Sequence, residues 1–590
     1  TTDYCYDRRG NVARKVQAVA NGPTRAVAYQ HDLADRVSRI IYPSGAVVTY
    51  QRDATGRISG VQVKRTPTTT VETLVSQVTY QPFGPLSQIT FGNGRVLSMA
   101  HDQDFAVEAI EDSVAGGLLL GFTHDAVGNV VGIDERLNDG TTASRGIDYD
   151  GLDRLTAMTN GASVAEGFSY DATGNRLSRT TTSTVNYTYP SDSHRLVKVG
   201  SQNRAYDAAG NSTSIHSKHF TYDDYGRMRQ FINGTTLRSE YLYNGRGERV
   251  AKLNITSPGS TAYYVYDEVG RLLGEYKPTG VAIKEYVWLD DRPVAVIGGY
   301  QGHRFQYVLT DHLGTPRAVV NPPTNAIIWR WDLTGSAFGN HPRQANPDGD
   351  SANYVLSLRY PGQYYDGESG LHYNYFRDYD PATGRYVQSD PIGLGGGVNT
   401  YGYVSQTPMG SFDPWGLYDI TARYVANHNT EGFQFQLRFY SGKCGRDQAA
   451  RAADEARDLA AAMAARLNPI ARIISLGGKG ADALPQPKPV GSLDVDRENF
   501  CECTSFDPEL KKALDEHLGS EYLGEWLTEQ QTVDALAAMQ SRYWQLAREK
   551  YPDRGSAERE RIRGFYDWGQ IIDKAKSGAV APACKLAGTC

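Results

Sequence analysis

Along the first 417 residues, polar and apolar positions alternate with period two in short runs broken by turn residues. Gly167-Phe-Ser-Tyr170, Arg176-Leu-Ser-Arg179 and Glu240-Tyr-Leu-Tyr243 are such runs, and this alternation predicts strands with one buried face. A repeated unit stands between them: Tyr6-Asp7 with Gly10-Asn11, Tyr149-Asp150 with Asp153-Arg154, Tyr170-Asp171 with Gly174-Asn175-Arg176, Tyr206-Asp207 with Gly210-Asn211, Tyr222-Asp223 with Gly226-Arg227, and Tyr266-Asp267 with Gly270-Arg271. Degenerate copies such as Arg52-Asp53, His124-Asp125 and Tyr243-Asn244 fill the gaps. Spacings are irregular, about 16 to 36 residues, which describes one hairpin with variable strands rather than a solenoid turn of fixed length. Each copy has the same physical reading. Tyr ends a strand, Asp accepts a hydrogen bond from the backbone N–H two residues on, Gly supplies the positive φ of the reversal, and Arg opens the next strand. Tyr rather than Phe suits a sheet around a wet interior, because its hydroxyl reaches water or a neighbour. An ordinary β-sandwich or propeller with Tyr-rich strands is the alternative.

The pattern changes after Leu417. Gly432-Phe-Gln-Phe-Gln-Leu-Arg-Phe-Tyr440 alternates like a strand, and helical spacing then dominates. Residues 447–467 form an Ala-rich segment with Leu459, Met463 and Leu467 at spacing four, before Pro469. Leu484-Pro-Gln-Pro-Lys-Pro489 reads as an extended linker. Further helices are expected from Asp507-Pro508, over 528–550 and over 556–576. Composition sharpens the same boundary: 32 of 39 Tyr and 47 of 61 Gly precede residue 418. The expected organisation is a large all-β shell at 1–417, with a distinct end over about 355–417, followed by a smaller, mainly α (α+β) domain at 418–590.

Charge and hydropathy exclude several classes. A net charge of -6 gives no global field for nucleic acid or anionic lipid. No run approaches the ~18 apolar residues of a membrane span. Residues 1–21 lack the basic start and apolar core of a secretory signal. A chain opening on Thr1 in mid-repeat is expected to be a fragment or processed product, with export signals upstream or on another chain.

The Tyr-Asp repeats, then Thr310-Asp-His-Leu-Gly-Thr-Pro-Arg317, Leu358-Arg-Tyr-Pro-Gly-Gln-Tyr-Tyr-Asp366, Tyr373-Asn-Tyr-Phe-Arg-Asp-Tyr-Asp-Pro381, Gly384-Arg-Tyr386 and Asp390-Pro-Ile-Gly-Leu394 resemble the core of the Rhs/YD-repeat polymorphic toxins. The resemblance covers residues 1–417. It implies repeats wound into a hollow β-cocoon around a toxic C-terminal domain, a design shared with the C components of insecticidal toxin complexes. It further implies an effector of interbacterial competition, secreted or delivered into a target cell, for instance by type VI secretion. The implied partners are the chain's own C-terminal domain as cargo, a cognate immunity protein, and an upstream adaptor or spike protein of the VgrG/PAAR type.

The boundary carries the candidate chemistry. Asp390-Pro-Ile-Gly-Leu394 and Asp413-Pro-Trp-Gly-Leu417 are two copies of one motif, and the glycines and Asn399 between them permit a reversal that brings both carboxylates together. Two carboxylates at short range do not both ionise readily, so one serves as acid while the other activates water against a peptide carbonyl. Each Asp-Pro could instead simply cap a turn. The resemblance implies aspartyl-protease-like self-cleavage between Leu417 and Tyr418, with Asp390 and Asp413 as the acids. It also marks Arg377-Asp378: Arg377 could orient a carboxylate, and Asp378 competes with Asp413 as the second acid.

No cofactor or metal is expected. Cys501-Glu-Cys503 is too close for a zinc knuckle, and Cys444, Cys501, Cys503, Cys584 and Cys590 fit either one or two disulfides plus a thiol or buried reduced cysteines. His517, Glu521 and Glu525 share a helical face that could be a metal or acid–base group or simply a solvated face; His428 near the domain start could serve a nuclease or do nothing chemical; Arg559, Arg561 and Arg563 form a small basic patch or a solvated surface. A membrane-active segment at 449–474, an enzyme such as a nuclease, and a non-toxic binding module are the three readings of 418–590.

Overall fold

The computed structural model describes residues 1–421, apart from Asn21, Pro67, Phe83, Gln301 and Gly302. The readings on His428, His517, Glu521, Glu525, the five late cysteines, the arginine patch, the 449–474 segment and the predicted helices lie outside the described residues. Two compact units divide the chain: Thr1–Pro391 with Val398–Asn429, and Ile392–Gly397 with Thr430–Cys590. Every strand described below belongs to the first. Within the described part of the second, Gly393–Gly396 forms a 3-10 turn.

Thirty-one strands, from Thr2–Tyr6 to Ile327–Arg330, form one sheet in which each pairs antiparallel with the next. This is a continuous ribbon of hairpins, not a sandwich or propeller. Its turns follow from the repeat. In Tyr170-Asp171-Ala172-Thr173-Gly174-Asn175-Arg176, one Asp171 oxygen accepts the N–H groups of Thr173 and Asn175, both at 2.9 Å. Gly174 sits at φ 81°. Tyr170 pairs with Arg176 across a register shift, which is a hairpin closed by a bulge. Where Arg follows, its guanidinium also returns to the Asp, at 2.7 Å for Asp150–Arg154 and Asp267–Arg271. Turn geometry therefore matches the repeat residue by residue.

The repeat tyrosines do something that local pattern does not show. Tyr80, Tyr149, Tyr170, Tyr222 and Tyr243 donate their hydroxyls at 2.8 Å to the backbone carbonyls of Ile58, Val130, Leu155, Ser212 and Met228. Each acceptor lies one hairpin upstream, so the phenol locks successive repeats together. Trp288 fills the same role toward Leu272, at 2.9 Å. Phe could supply the ring but not the bond.

The ribbon coils back on itself. Lys15 and Gln17 donate to the carbonyls of Tyr266 and Tyr264, and Tyr42 to that of Tyr286. Glu135 accepts from the backbone and hydroxyl of Thr334. Val27, Val48, Phe91, Val265, Val287 and Tyr307 share one apolar cluster, so early and late strands bury each other.

Residues 331–391 and 398–421 then lie across the ribbon. A small sheet of Tyr364–Asp366, Leu371–Asn374, Arg377–Asp380 and Arg385–Tyr386 is pinned by buried polar contacts. Arg249 and Lys252 both reach Asp366, at 3.2 and 2.9 Å. Arg204 pairs with Asp380 at 2.7 Å, and Tyr364 donates to Glu275 at 2.8 Å. The Arg249 guanidinium also lies 4.2 Å from the centre of the Tyr373 ring.

Asp366→Ala leaves the buried Arg249 without its carboxylate and Lys252 with Glu368 alone, and should lower stability by about 3–5 kcal/mol, whereas Tyr170→Phe, which loses one inter-repeat bond, should cost about 1 kcal/mol. Thermal melts of the two variants against the parent chain check the difference; equal shifts would contradict it.

Candidate self-cleavage site

The site is assembled from one strand and two loops. In Arg377–Asp380, alternation sends Arg377 and Asp378 to opposite faces. Arg377 meets the segment that begins at Asp390, whose backbone N–H donates to Thr400 at 2.8 Å. It also meets the loop that leaves the short strand Ser411–Phe412 at Asp413. One Arg377 terminal nitrogen lies 2.9 Å from an Asp390 oxygen and 3.3 Å from an Asp413 oxygen. The guanidinium further donates to the carbonyls of Thr400 and Gly416 and stacks 3.7 Å from the centre of the Tyr386 ring. The two duplicated aspartates thus share one cation.

Asp413 has two tasks. One oxygen accepts the N–H groups of Trp415, Gly416 and Leu417 at 3.2, 2.8 and 3.0 Å, which is the turn-capping reading realised. The other faces Arg377 and accepts the Tyr386 hydroxyl at 2.7 Å. Asn374 supports both sides, donating to the Asp413 carbonyl at 2.8 Å and to the Tyr386 oxygen at 2.7 Å. Burial pushes the Asp413 carboxyl above the usual carboxylate range, against the pull of Arg377, Tyr386 and the backbone donors.

Asp378 turns elsewhere. It accepts from Gln388 at 2.7 Å, while its own N–H donates back to the Gln388 amide oxygen at 2.7 Å. Burial raises its carboxyl to about 6, opposed by Gln388 and Arg249. Leu417 is buried, and the Tyr418 ring packs 5.6 Å from that of Trp415. Sequence reasoning did not single out Asn374 or Tyr386 as site residues. It also missed His312, whose ring nitrogen lies 2.7 Å from the Met409 carbonyl and ties the Asp-His-Leu-Gly motif to the loop ahead of Asp413. The quoted motifs contain all three, but only the fold shows what each touches.

Comparison with known proteins places the shell. The family model described as teneurin YD-shell matches residues 117–396. A probable deoxyribonuclease RhsB of Dickeya dadantii is 28% identical over 453 residues, covering 67% of this chain and 30% of that protein. The toxin protein Tse5 of Pseudomonas aeruginosa is 24% identical over 486 residues, covering 70% and 36%. The chain carries an Rhs/YD-repeat shell. Among solved structures, a TcdB2-TccC3-Cdc42 complex shares the fold of this Rhs/YD-repeat shell, with a TM-score of 0.59 at 18% identity over 70% of this chain and 23% of that one. The chain spans about a third or less of the length of these relatives.

Gly416 holds φ 70°, and a Cβ there would meet the Asn374 carbonyl oxygen at 2.5 Å. Gly416→Ala should therefore lower the melting temperature measurably, by an amount equivalent to about 1–3 kcal/mol. Gly410→Ala, which faces open space, should leave it nearly unchanged; the reverse ranking would contradict the loop geometry.

Proposed function

We propose that this shell is a self-cleaving container of a delivered toxin, and that it cuts its own chain between Leu417 and Tyr418. The observation that carries the reading is the sharing of Arg377 by Asp390 and Asp413 while Asp413 holds the Leu417 N–H, on the acyl side of that bond. In the proposed reaction Asp390, the nearer partner of Arg377, takes a proton from water. The hydroxide adds to the Leu417 carbonyl carbon, and the protonated Asp413 carboxyl gives its proton to the Tyr418 nitrogen as the C–N bond breaks. The products are a Leu417 carboxylate and a Tyr418 amine. Because scissile bond and acids belong to one chain, effective molarity is high and a single turnover suffices.

A second reading rests on Asp378. Its carboxyl is raised to about 6 by burial, as an acid's would be, but it bonds Gln388 on the strand face opposite Arg377 and Asp390, which makes this the weaker reading. Residues 418–590 are then the cargo. Relatives whose names denote a toxin and a probable deoxyribonuclease support a toxin there, with an immunity protein in the producing cell and a secretion adaptor or spike upstream.

On a denaturing gel the expressed chain should give polypeptides of about 46 and 19 kDa, at ~110 Da per residue. Asp390→Asn and Asp413→Asn should each leave it whole, and full cutting in both would remove the dyad. Cutting retained in Asp378→Asn supports the first reading; its loss, with Asp413→Asn still cutting, supports the second. Residues 418–590 expressed alone should arrest growth when directed to either the cytoplasm or the periplasm, and unimpaired growth in both would contradict a toxic cargo.

A further inference from the structure

The groups considered so far hold the chain up to Leu417. The residues just beyond are held as well. Ile420–Thr421 pairs antiparallel with Ser411–Phe412, Phe412 opposite Ile420 and Ser411 opposite Thr421. Ser405 donates its hydroxyl to an Asp419 carboxylate oxygen at 2.8 Å. Asp419 is the second residue on the leaving side of the proposed cut.

The turn that presents Ser405 is unusual. Val404, Ser405 and Gln406 stand at φ 46°, 48° and 63°, three consecutive left-handed residues without a glycine among them. Such conformations are strained for any residue but glycine and persist only where their surroundings over-determine them. Here Val404 is buried, Gln406 N–H donates to Tyr403 at 3.0 Å, and the N–H and hydroxyl of Thr407 both donate to the Val404 carbonyl, at 2.8 and 2.9 Å. A β-branched residue forced into this region, one position before a serine that reaches across the cut, is strain spent on placing that hydroxyl.

Resting on the self-cleavage reading, we propose that Ser405 and Asp419 form a leaving-side clamp, in which Asp419 is a positioning residue that fixes the Tyr418 nitrogen while Asp413 fixes the acyl side. The shell would therefore specify not only its own final residues but also the second residue of what it releases. The groups whose charges act on Asp419 are Asp413, Arg377 and Asp390, and Asp419 in turn acts on the neutral Tyr403 phenol. Burial and the Asp413 charge raise its carboxyl to about 7. The two carboxyls act on one another: wherever Asp419 is ionised, its negative charge beside Asp413 holds Asp413 protonated to a higher pH than Asp413 would keep alone, which extends the acid's working range.

Cutting is followed on gels after synthesis of the full 590-residue chain in a cell-free system at a series of pH values. Asp419→Asn keeps an acceptor for Ser405 but loses the charge; its plateau rate should stay near that of the parent while the alkaline limb moves down by about one pH unit. Asp419→Ala and Ser405→Ala should slow cutting about tenfold or more. Ser405→Asn, which tolerates left-handed φ and keeps a donor, should recover much of that loss. If Asp390→Asn and Asp413→Asn stop the cut but all the Asp419 and Ser405 variants match the parent in rate and pH profile, the clamp is wrong and the cleavage reading stands. If Asp390→Asn and Asp413→Asn cut normally, the cleavage reading fails and the clamp falls with it.

Discussion

The buried guanidinium of Arg377 is the constraint on which the end of this shell depends. An arginine cannot be taken out of water without partners for its charge and its donors. Here the partners come from three places: the Asp390 and Asp413 carboxylates, the Thr400 and Gly416 carbonyls, and the face of Tyr386. The strand at 377–380, Asp390 and Thr400, and the loop at 413–417 must therefore close together or leave a buried charge uncompensated. Two identical motifs 23 residues apart become one site because the same cation lies between them.

What holds that arrangement still is the ribbon beneath it. Hairpins repeated along a chain could slide or splay, since each pairs only with its neighbours. The phenol-to-carbonyl bonds that tie many of the repeats to the one before resist this. The buried pairs Arg249–Asp366 and Arg204–Asp380 then fasten the closing sheet to that stiffened base. Arg377 and Asp378 sit on this closing sheet, facing opposite ways, which gives each its separate partner.

The parts of the fold visible in the sequence are those set within a few residues. Asp171, Gly174 and Asn175 act on one another across a single turn, so their spacing reveals the hairpin. The tyrosines were legible as strand ends, and their hydroxyls as reaching water or a neighbour; which neighbour, a carbonyl one hairpin upstream, was not legible, because it is set by how successive hairpins stack. The competition between Asp378 and Asp413 was unreadable from spacing because it turns on strand alternation and on which loop meets Arg377. Ser405 and Asp419 gave no signal at all. Their contact spans 14 residues, and nothing in Tyr-Val-Ser-Gln announces a left-handed turn.

The central claim is hydrolysis of one bond by groups the shell itself supplies. It is tested most directly by making the full chain in water enriched in oxygen-18 and determining the mass and first residue of each product. The account predicts a downstream polypeptide beginning at Tyr418 and an upstream one ending at Leu417, with a single heavy oxygen in its terminal carboxylate. An uncut chain, a different first residue, or a terminus without the heavy oxygen would contradict it.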